Sequence, residues 1–187
     1  VPSIKLINKG WDVSRLTAKL QSDPGLWNRH GARKEAYAHS EMSDIWVRYN
    51  DINNLGPKFN DEHESVWYPV YYEVPDFRRL IFDVFSFVEG ERLGGVLVTK
   101  IPPGGSVKPH IDHGWHARYY DKFALQLQAE VGQAFCFEDE ILQSDTGDLY
   151  TFDNSKTHWV VNDSPVDRIT MIICIRKPNN GLCKLTA

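Results

Sequence analysis

The run Val96-Leu97-Val98-Thr99-Lys100-Ile101, stopped by Pro102-Pro103-Gly104-Gly105, carries the fold reading. It is a β-rich segment closed by residues that turn a chain. Further strand-like runs follow at 122–129, 133–138, 149–152, 158–161 and 168–176. Thr146-Gly147-Asp148 and Asn162-Asp163-Ser164-Pro165 separate the later ones. Several short strands spaced by turns predict a sandwich or barrel.

Ahead of this run the pattern changes. Pro75 opens a helix in which Phe77, Leu80, Ile81, Val84, Phe85 and Val88 recur at helical spacing, and Gly90 ends it. Asp12 is expected to cap a shorter helix over Val13, Leu16 and Leu20, stopped by Asp23-Pro24-Gly25. Residues 4–7 and 45–49 read as strands, 28–43 as irregular and 50–65 as a long loop. The expected plan is one domain over 1–187. A helical and irregular front portion (1–92) packs on core barrel strands (93–177).

With 187 residues the chain is long enough to bury a sizeable core. Its 42% hydrophobic and 25% charged residues match soluble globular proteins. A net charge of -4 supplies no basic face for a nucleic-acid backbone. The expected partner is therefore a small-molecule, amino-acid or peptide substrate, with neither nucleic acid nor membrane. Cys136, Cys174 and Cys183 have no paired spacing, and the first two sit in apolar runs. No disulfide framework is expected, which favours a reducing, cytoplasmic setting. The opening residues show no charged segment followed by an apolar one, and the chain does not begin with Met.

The densest chemistry lies in Lys108-Pro109-His110-Ile111-Asp112-His113-Gly114. In extended backbone, residues two apart point the same way, so His110 and Asp112 share a face and His113 turns from it. Two imidazoles and one carboxylate on one face leave coordination positions open, an arrangement that suits non-haem Fe(II). The third ligand is expected to be His158, at the start of an apolar strand, reaching the site from a facing strand across the barrel. Two blander readings stand beside this one. His-x-Asp pairs are common on surfaces, and His110, His113 and His116 have the spacing of a helical zinc-binding face. Pro109 and Gly114 speak against a helix there.

Arg168 and Thr170 alternate along one strand and so share a face. A guanidinium can take a carboxylate through two nitrogens while a neighbouring hydroxyl donates a further bond, which suits one end of a dicarboxylic acid. Arg168 follows His158 across an expected hairpin turn, so both can open into one cavity.

The order His110-x-Asp112, His158, Arg168-x-Thr170 resembles the double-stranded β-helix (jelly-roll, cupin-type) oxygenases that use 2-oxoglutarate. Pro102-Pro103-Gly104-Gly105 leading to Pro109-His110, and His158-Trp159-Val160-Val161-Asn162 with Arg168, resemble the aspartyl/asparaginyl β-hydroxylase-like branch, which includes bacterial proline hydroxylases. The resemblance is strong over 93–177 and loose over the front third. It implies a hydroxylase with Fe(II) on His110, Asp112 and His158, and 2-oxoglutarate as cosubstrate, releasing succinate and CO2. Animal aspartyl hydroxylases lack the iron carboxylate, whereas Asp112 is present here. Many relatives carry an Arg, then a His two residues on, for the cosubstrate's other end; here the places hold Lys122 and Ala124. Lys122 can replace the Arg only as a point charge. Trp46, Arg48, Trp115, His116 and Tyr119 are expected to flank the cavity mouth. Two competing classes remain: a cupin-fold metal enzyme that needs no oxoacid, and an inactive β-barrel serving as a binding module.

Overall fold

In a computed structural model, residues 2–35 and 37–178 are described. Cys183 lies outside them.

In chain order the elements are β1 (Ile4–Asn8), α1 (Ser14–Ser22), β2 (Ser43–Asn50), β3 (Ser65–Trp67), α2 (Val70–Glu73), α3 (Asp76–Phe87), β4 (Arg92–Ile101) and β5 (Ser106–His110). There follow α4 (Trp115–Tyr119), β6 (Asp121–Gln128), β7 (Gln133–Phe137), β8 (Ile141–Leu142), β9 (Leu149–Phe152), β10 (His158–Asn162) and β11 (Arg168–Arg176). Short 3-10 turns over Ala32–Glu35 and Tyr37–His39 lie between α1 and β2.

The strands form two antiparallel sheets: β1-β9-β6-β11-β4-β2-β3, and β5-β10-β7-β8. They face each other as an open jelly roll, mainly β with flanking helices. Among the described residues no pairing closes them into a barrel.

Alternation along the strands places the core. In β11, Ile169, Met171, Ile173 and Ile175 point outward and join Leu16, Phe77, Leu80 and Val84 of α1 and α3. The residues between them point inward, where Ile172 packs with Ile101, Phe135, Tyr150 and Phe152 between the sheets. With both faces covered, β11 reads as a near-continuous apolar run. The two polar exceptions near its start, Arg168 and Thr170, are on the inward face.

The front portion is less separate than its composition suggests. β1 pairs with β9, and β2 with β4, so both complete the larger sheet. The division at residue 92 is thus no boundary in the sheet. Asp12 accepts from the Ser14 amide at 3.1 Å, but it is not the expected cap. Val13 occupies the N-cap of α1, which starts one residue later, and no side chain caps it. At the end of α3 the left-handed residue is Glu89, with φ 56°, rather than Gly90. Gly90 instead donates its amide to Phe85 O at 2.9 Å. A Cβ on it would lie 2.6 Å from the Phe85 ring, so glycine is required by close approach. No described helix is long and apolar enough to cross a membrane.

Candidate active site

Between the sheets lies a cavity of about 710 Å³, lined by His110, Asp112, Lys122, His158, Arg168 and Thr170 among others. Every residue assigned from the sequence to the metal or the cosubstrate reaches this one space.

His110 ends β5 and His158 begins β10, and the two are register partners in the β5–β10 ladder. His158 is therefore on the hydrogen-bonded neighbour of β5, not on a facing strand. Adjacent antiparallel strands bring paired residues close enough for the ring centroids to lie 4.4 Å apart. His110 Nδ1 is 2.7 Å from Lys108 O, and His158 Nδ1 is 2.9 Å from Lys156 O. A carbonyl can only accept, so each ring keeps its proton on Nδ1, and in its neutral form the Nε2 lone pair is free. The Asp112 carboxylate completes the group. The ligand atoms that His110, Asp112 and His158 offer lie within 4.8 Å of one another. His110 Nε2 is 3.6 Å from Asp112 Oδ1.

Asp112 stands just past the end of β5 and is held from the turn between β9 and β10. Its amide donates to Asn154 O at 3.1 Å, and Asn154 Nδ2 lies 3.5 Å from Asp112 Oδ2. Asn154 also donates to Ala117 O at 3.0 Å, which fixes the amide plane. The Lys122 ammonium is 3.5 Å from Asp112 Oδ2. Burial opposes ionisation of Asp112, but the Lys122 charge and the two imidazoles outweigh it and hold the carboxyl well below the usual range. Burial pushes the His158 pKa down. In His110 burial acts the same way, but the Asp112 carboxylate and Lys108 carbonyl outweigh it, so its pKa is raised. The helical zinc-face reading fails because 106–110 is a strand and α4 starts only at Trp115.

Arg168 is 3% exposed and Thr170 1%. The Arg168 guanidinium donates to Thr170 Oγ1 at 2.7 Å and to the Tyr150 hydroxyl at 2.9 Å. Thr170 Oγ1 donates in turn to Gln126 Oε1 at 3.1 Å. The Thr170 proton is thus already spent inside the protein: this hydroxyl orients the guanidinium rather than offering itself to a ligand. Tyr150, which sequence reasoning missed, accepts from Arg168 and keeps a proton to donate. Its signal was a polar-tipped ring on the inward face of β9, where an apolar side chain would be the default. Among the described residues no carboxylate pairs with Arg168. The expected hairpin before Arg168 is absent: β10 and β11 belong to different sheets, and 163–167 carries the chain from one to the other.

The five residues expected at the mouth divide. His116 lines the cavity. Trp46 is 2% exposed and packed against Tyr49 and Tyr68, Arg48 donates to Gly94 O, and Trp115 stacks on Tyr119 at 4.6 Å. His39, in the irregular segment 28–43, also reaches the site, with its ring centroid 4.8 Å from that of His110. Burial, followed by the Arg33 and His110 charges, pushes its pKa down to about 3.

The family model for aspartyl/asparaginyl beta-hydroxylase matches residues 32–178. The chain belongs to that family. The match covers the metal-ligand candidates, Arg168 and the segment carrying His39. No curated protein gives a significant sequence match. A prolyl hydroxylase from Trichoplax adhaerens, solved with a hypoxia inducible factor peptide fragment, is 15% identical with a TM-score of 0.61 over 99% of this chain and 87% of its own. A 2OG-Fe(II) oxygenase family oxidoreductase from Burkholderia pseudomallei is 11% identical, with a TM-score of 0.54 over 95% of this chain and 94% of its own. The viral collagen prolyl hydroxylase of Paramecium Bursaria Chlorella virus-1, solved as a 2OG complex, is 11% identical, with a TM-score of 0.52 over 94% and 96%. At these identities the likeness is one of fold. It places a hydroxylase-family sequence on an oxygenase fold.

Proposed function

We propose that the protein is an Fe(II)- and 2-oxoglutarate-dependent dioxygenase that hydroxylates an amino acid, a peptide side chain or a small metabolite. The observation that carries this reading is the pairing of two unlike sites in one cavity. One is a His-Asp-His cluster with free nitrogen lone pairs, and the other is a buried guanidinium without a protein carboxylate.

The donor set fits iron. Two neutral imidazoles and one carboxylate are borderline ligands, and three of them leave positions open for exogenous ligands. The backbone carbonyls behind His110 and His158, and Asn154 behind Asp112, orient the ligands as a second layer of contacts does in metal sites. Bound there, Fe(II) would supply oxygen activation coupled to decarboxylation of the oxoacid. The protein's own part is binding and orientation.

A buried charge is costly unless paired. Arg168, held by Thr170 and Tyr150, supports binding of the distal carboxylate of 2-oxoglutarate, with the Tyr150 hydroxyl adding a bond. Lys122 lies at the other end, beside Asp112, and supplies positive charge near the oxoacid's C1 carboxylate. An enzyme using the metal alone would leave the buried guanidinium without a purpose.

The test is anaerobic titration of Fe(II)-loaded protein with 2-oxoglutarate. Appearance of a metal-to-ligand absorption band, and oxygen-dependent release of succinate, is the expected result. A protein that binds iron but gives neither band nor succinate would be a different kind of metal protein.

A further inference from the structure

Part of the cavity wall is apolar and belongs to neither the metal group nor the Arg168 group. Tyr49 of β2, Leu97 of β4, and Leu55 and Phe59 of the long loop 51–64 line it, and each is only partly buried. Tyr49 owes its place to a register shift between Trp46 and Arg48 in the β2–β4 pairing. The shift breaks the alternation of β2 and sets Tyr49 beside Trp46 at 4.6 Å. The Phe59 ring lies 6.1 Å from that of Tyr49. The polar side chains beside this wall are paired inside the protein. Asn50 donates to Phe59 O at 3.4 Å and accepts from Asn54 at 3.0 Å. Thr99 donates to Thr170 O at 3.5 Å, and Arg33 pairs with Asp44 at 3.1 Å.

The loop is held as a strap against the segment that follows Asp112. Asn60 O accepts the Trp115 amide at 2.8 Å, and His63 stacks on His116 at 5.6 Å and 12°. Gly114, with φ 91°, permits this approach: a Cβ there would stand 2.5 Å from Asn60 Oδ1. The strap thus brings Leu55 and Phe59 to the cavity that also holds the His-Asp-His group. Partly covered apolar side chains gathered in one concave space are stabilised by a ligand that takes their remaining surface from water.

We infer that the substrate presents an uncharged apolar group, aromatic or branched aliphatic, to the wall formed by Tyr49, Leu55, Phe59 and Leu97, and that Phe59 is a specificity-determining residue. The inference rests on the oxygenase reading, which makes this cavity the place of reaction.

The experiment loads the protein with Mn(II) in place of iron, adds 2-oxoglutarate, and titrates in phenylacetamide, isovaleramide or acetamide. These probes share an uncharged amide and differ in the apolar group. The readout is paramagnetic relaxation of the probe protons by Mn(II), against Zn(II)-loaded protein as the diamagnetic control. Phenylacetamide or isovaleramide should be relaxed at concentrations where acetamide is not. Phe59→Ser should weaken that binding about ten-fold, the loss of one apolar contact, and Phe59→Leu should recover part. Leu55→Ser should weaken it in the same direction. The 2-oxoglutarate absorption band of the Fe(II)-loaded variants should match the wild type, since neither residue belongs to the metal or Arg168 groups. No relaxation of either apolar amide, equal relaxation of acetamide, or wild-type binding in Phe59→Ser would each overturn the inference while leaving the oxygenase reading intact. Failure to form the band in the wild type would remove that reading and the inference with it.

Discussion

His158 stands directly opposite His110 in the β5–β10 ladder, with ring centroids 4.4 Å apart and both Nδ1 atoms bound to backbone carbonyls. Each carbonyl belongs to the residue two places before its histidine. The same local device, used twice on neighbouring strands, turns both Nε2 lone pairs toward one cavity. A pair of structural histidines would be expected to spend those nitrogens on protein donors.

Removal of either ring should therefore remove the metal. Metal added at about one hundred times its Kd stabilises a protein by about 2.7 kcal/mol, and the melting temperature should rise accordingly in the wild type. His110→Ala and His158→Ala should show no such rise and no bound iron. Full metal content in both variants would sink the ligand assignment.

Asp112 has a second duty that alters what its removal should do. Lys122, 3.5 Å away, loses its carboxylate partner in Asp112→Gly. Breaking a buried pair from one side is costly, about 3–5 kcal/mol when burial is complete and less for this partly exposed carboxylate. Asp112→Gly should thus lose both activity and stability. Adding Lys122→Met should restore stability but not iron affinity, as read by chemical denaturation and metal titration. Recovery of both would show that Asp112 acts only as a charge partner for Lys122.

Asn154 offers a gentler test, since it touches Asp112 without facing the metal. Loss of an outer contact behind a metal ligand typically costs ten- to a hundred-fold in affinity. Asn154→Ala should weaken iron binding by about that factor. Wild-type affinity would mean that Asp112 is held well enough by the Asn154 backbone and Lys122.

What was legible in the sequence was local. The period of α3, the strand β11 with its bounds, and the same-face relation of His110 and Asp112 all follow from repeat distances of a few residues. What was not legible depended on which strands become neighbours. His158 meets His110 because β5 and β10 pair across a long sequence separation, and no local pattern encodes that choice. Thr170 shares a face with Arg168 as alternation requires, yet the Gln126 acceptor comes from β6 and takes the hydroxyl proton. Tyr150, Asn154 and His39 were hidden for the same reason: each serves a residue distant in sequence. Trp46 failed as a mouth residue because its ring is covered by His30, Tyr49 and Tyr68.

Gly94 is a prediction about packing. Gly94→Ala puts a methyl group 2.9 Å from the Tyr120 ring, in buried strand β4. Overpacking of this kind costs about 1–3 kcal/mol. The ring most directly displaced packs against His116, so the melting temperature should fall. Unchanged stability would mean that Tyr120 and His116 shift freely.

Arg168 should set cosubstrate affinity, and its neighbours should divide the effect in a way that identifies the arrangement. Hydrogen bonds to charged groups contribute about 1.5–3 kcal/mol each, so Arg168→Ala should weaken 2-oxoglutarate binding about ten- to a hundred-fold or more. Arg168→Lys should recover only part, because an ammonium keeps the charge without the planar fork. Tyr150→Phe removes the hydroxyl that accepts from the guanidinium at 2.9 Å and with it a donor to the oxoacid, so it should cost about ten-fold. Thr170→Val is predicted to be milder, since Thr170 orients Arg168 while its own proton goes to Gln126. Iron affinity should be unchanged in all four variants, because none of these side chains belongs to the His-Asp-His group. The measurement is the metal-to-ligand absorption titration under argon. A larger loss in Thr170→Val than in Tyr150→Phe would mean that the threonine hydroxyl turns to the ligand on binding. Wild-type affinity in Arg168→Ala would move the carboxylate anchor elsewhere in the cavity, with Lys122 the remaining cation beside the metal group.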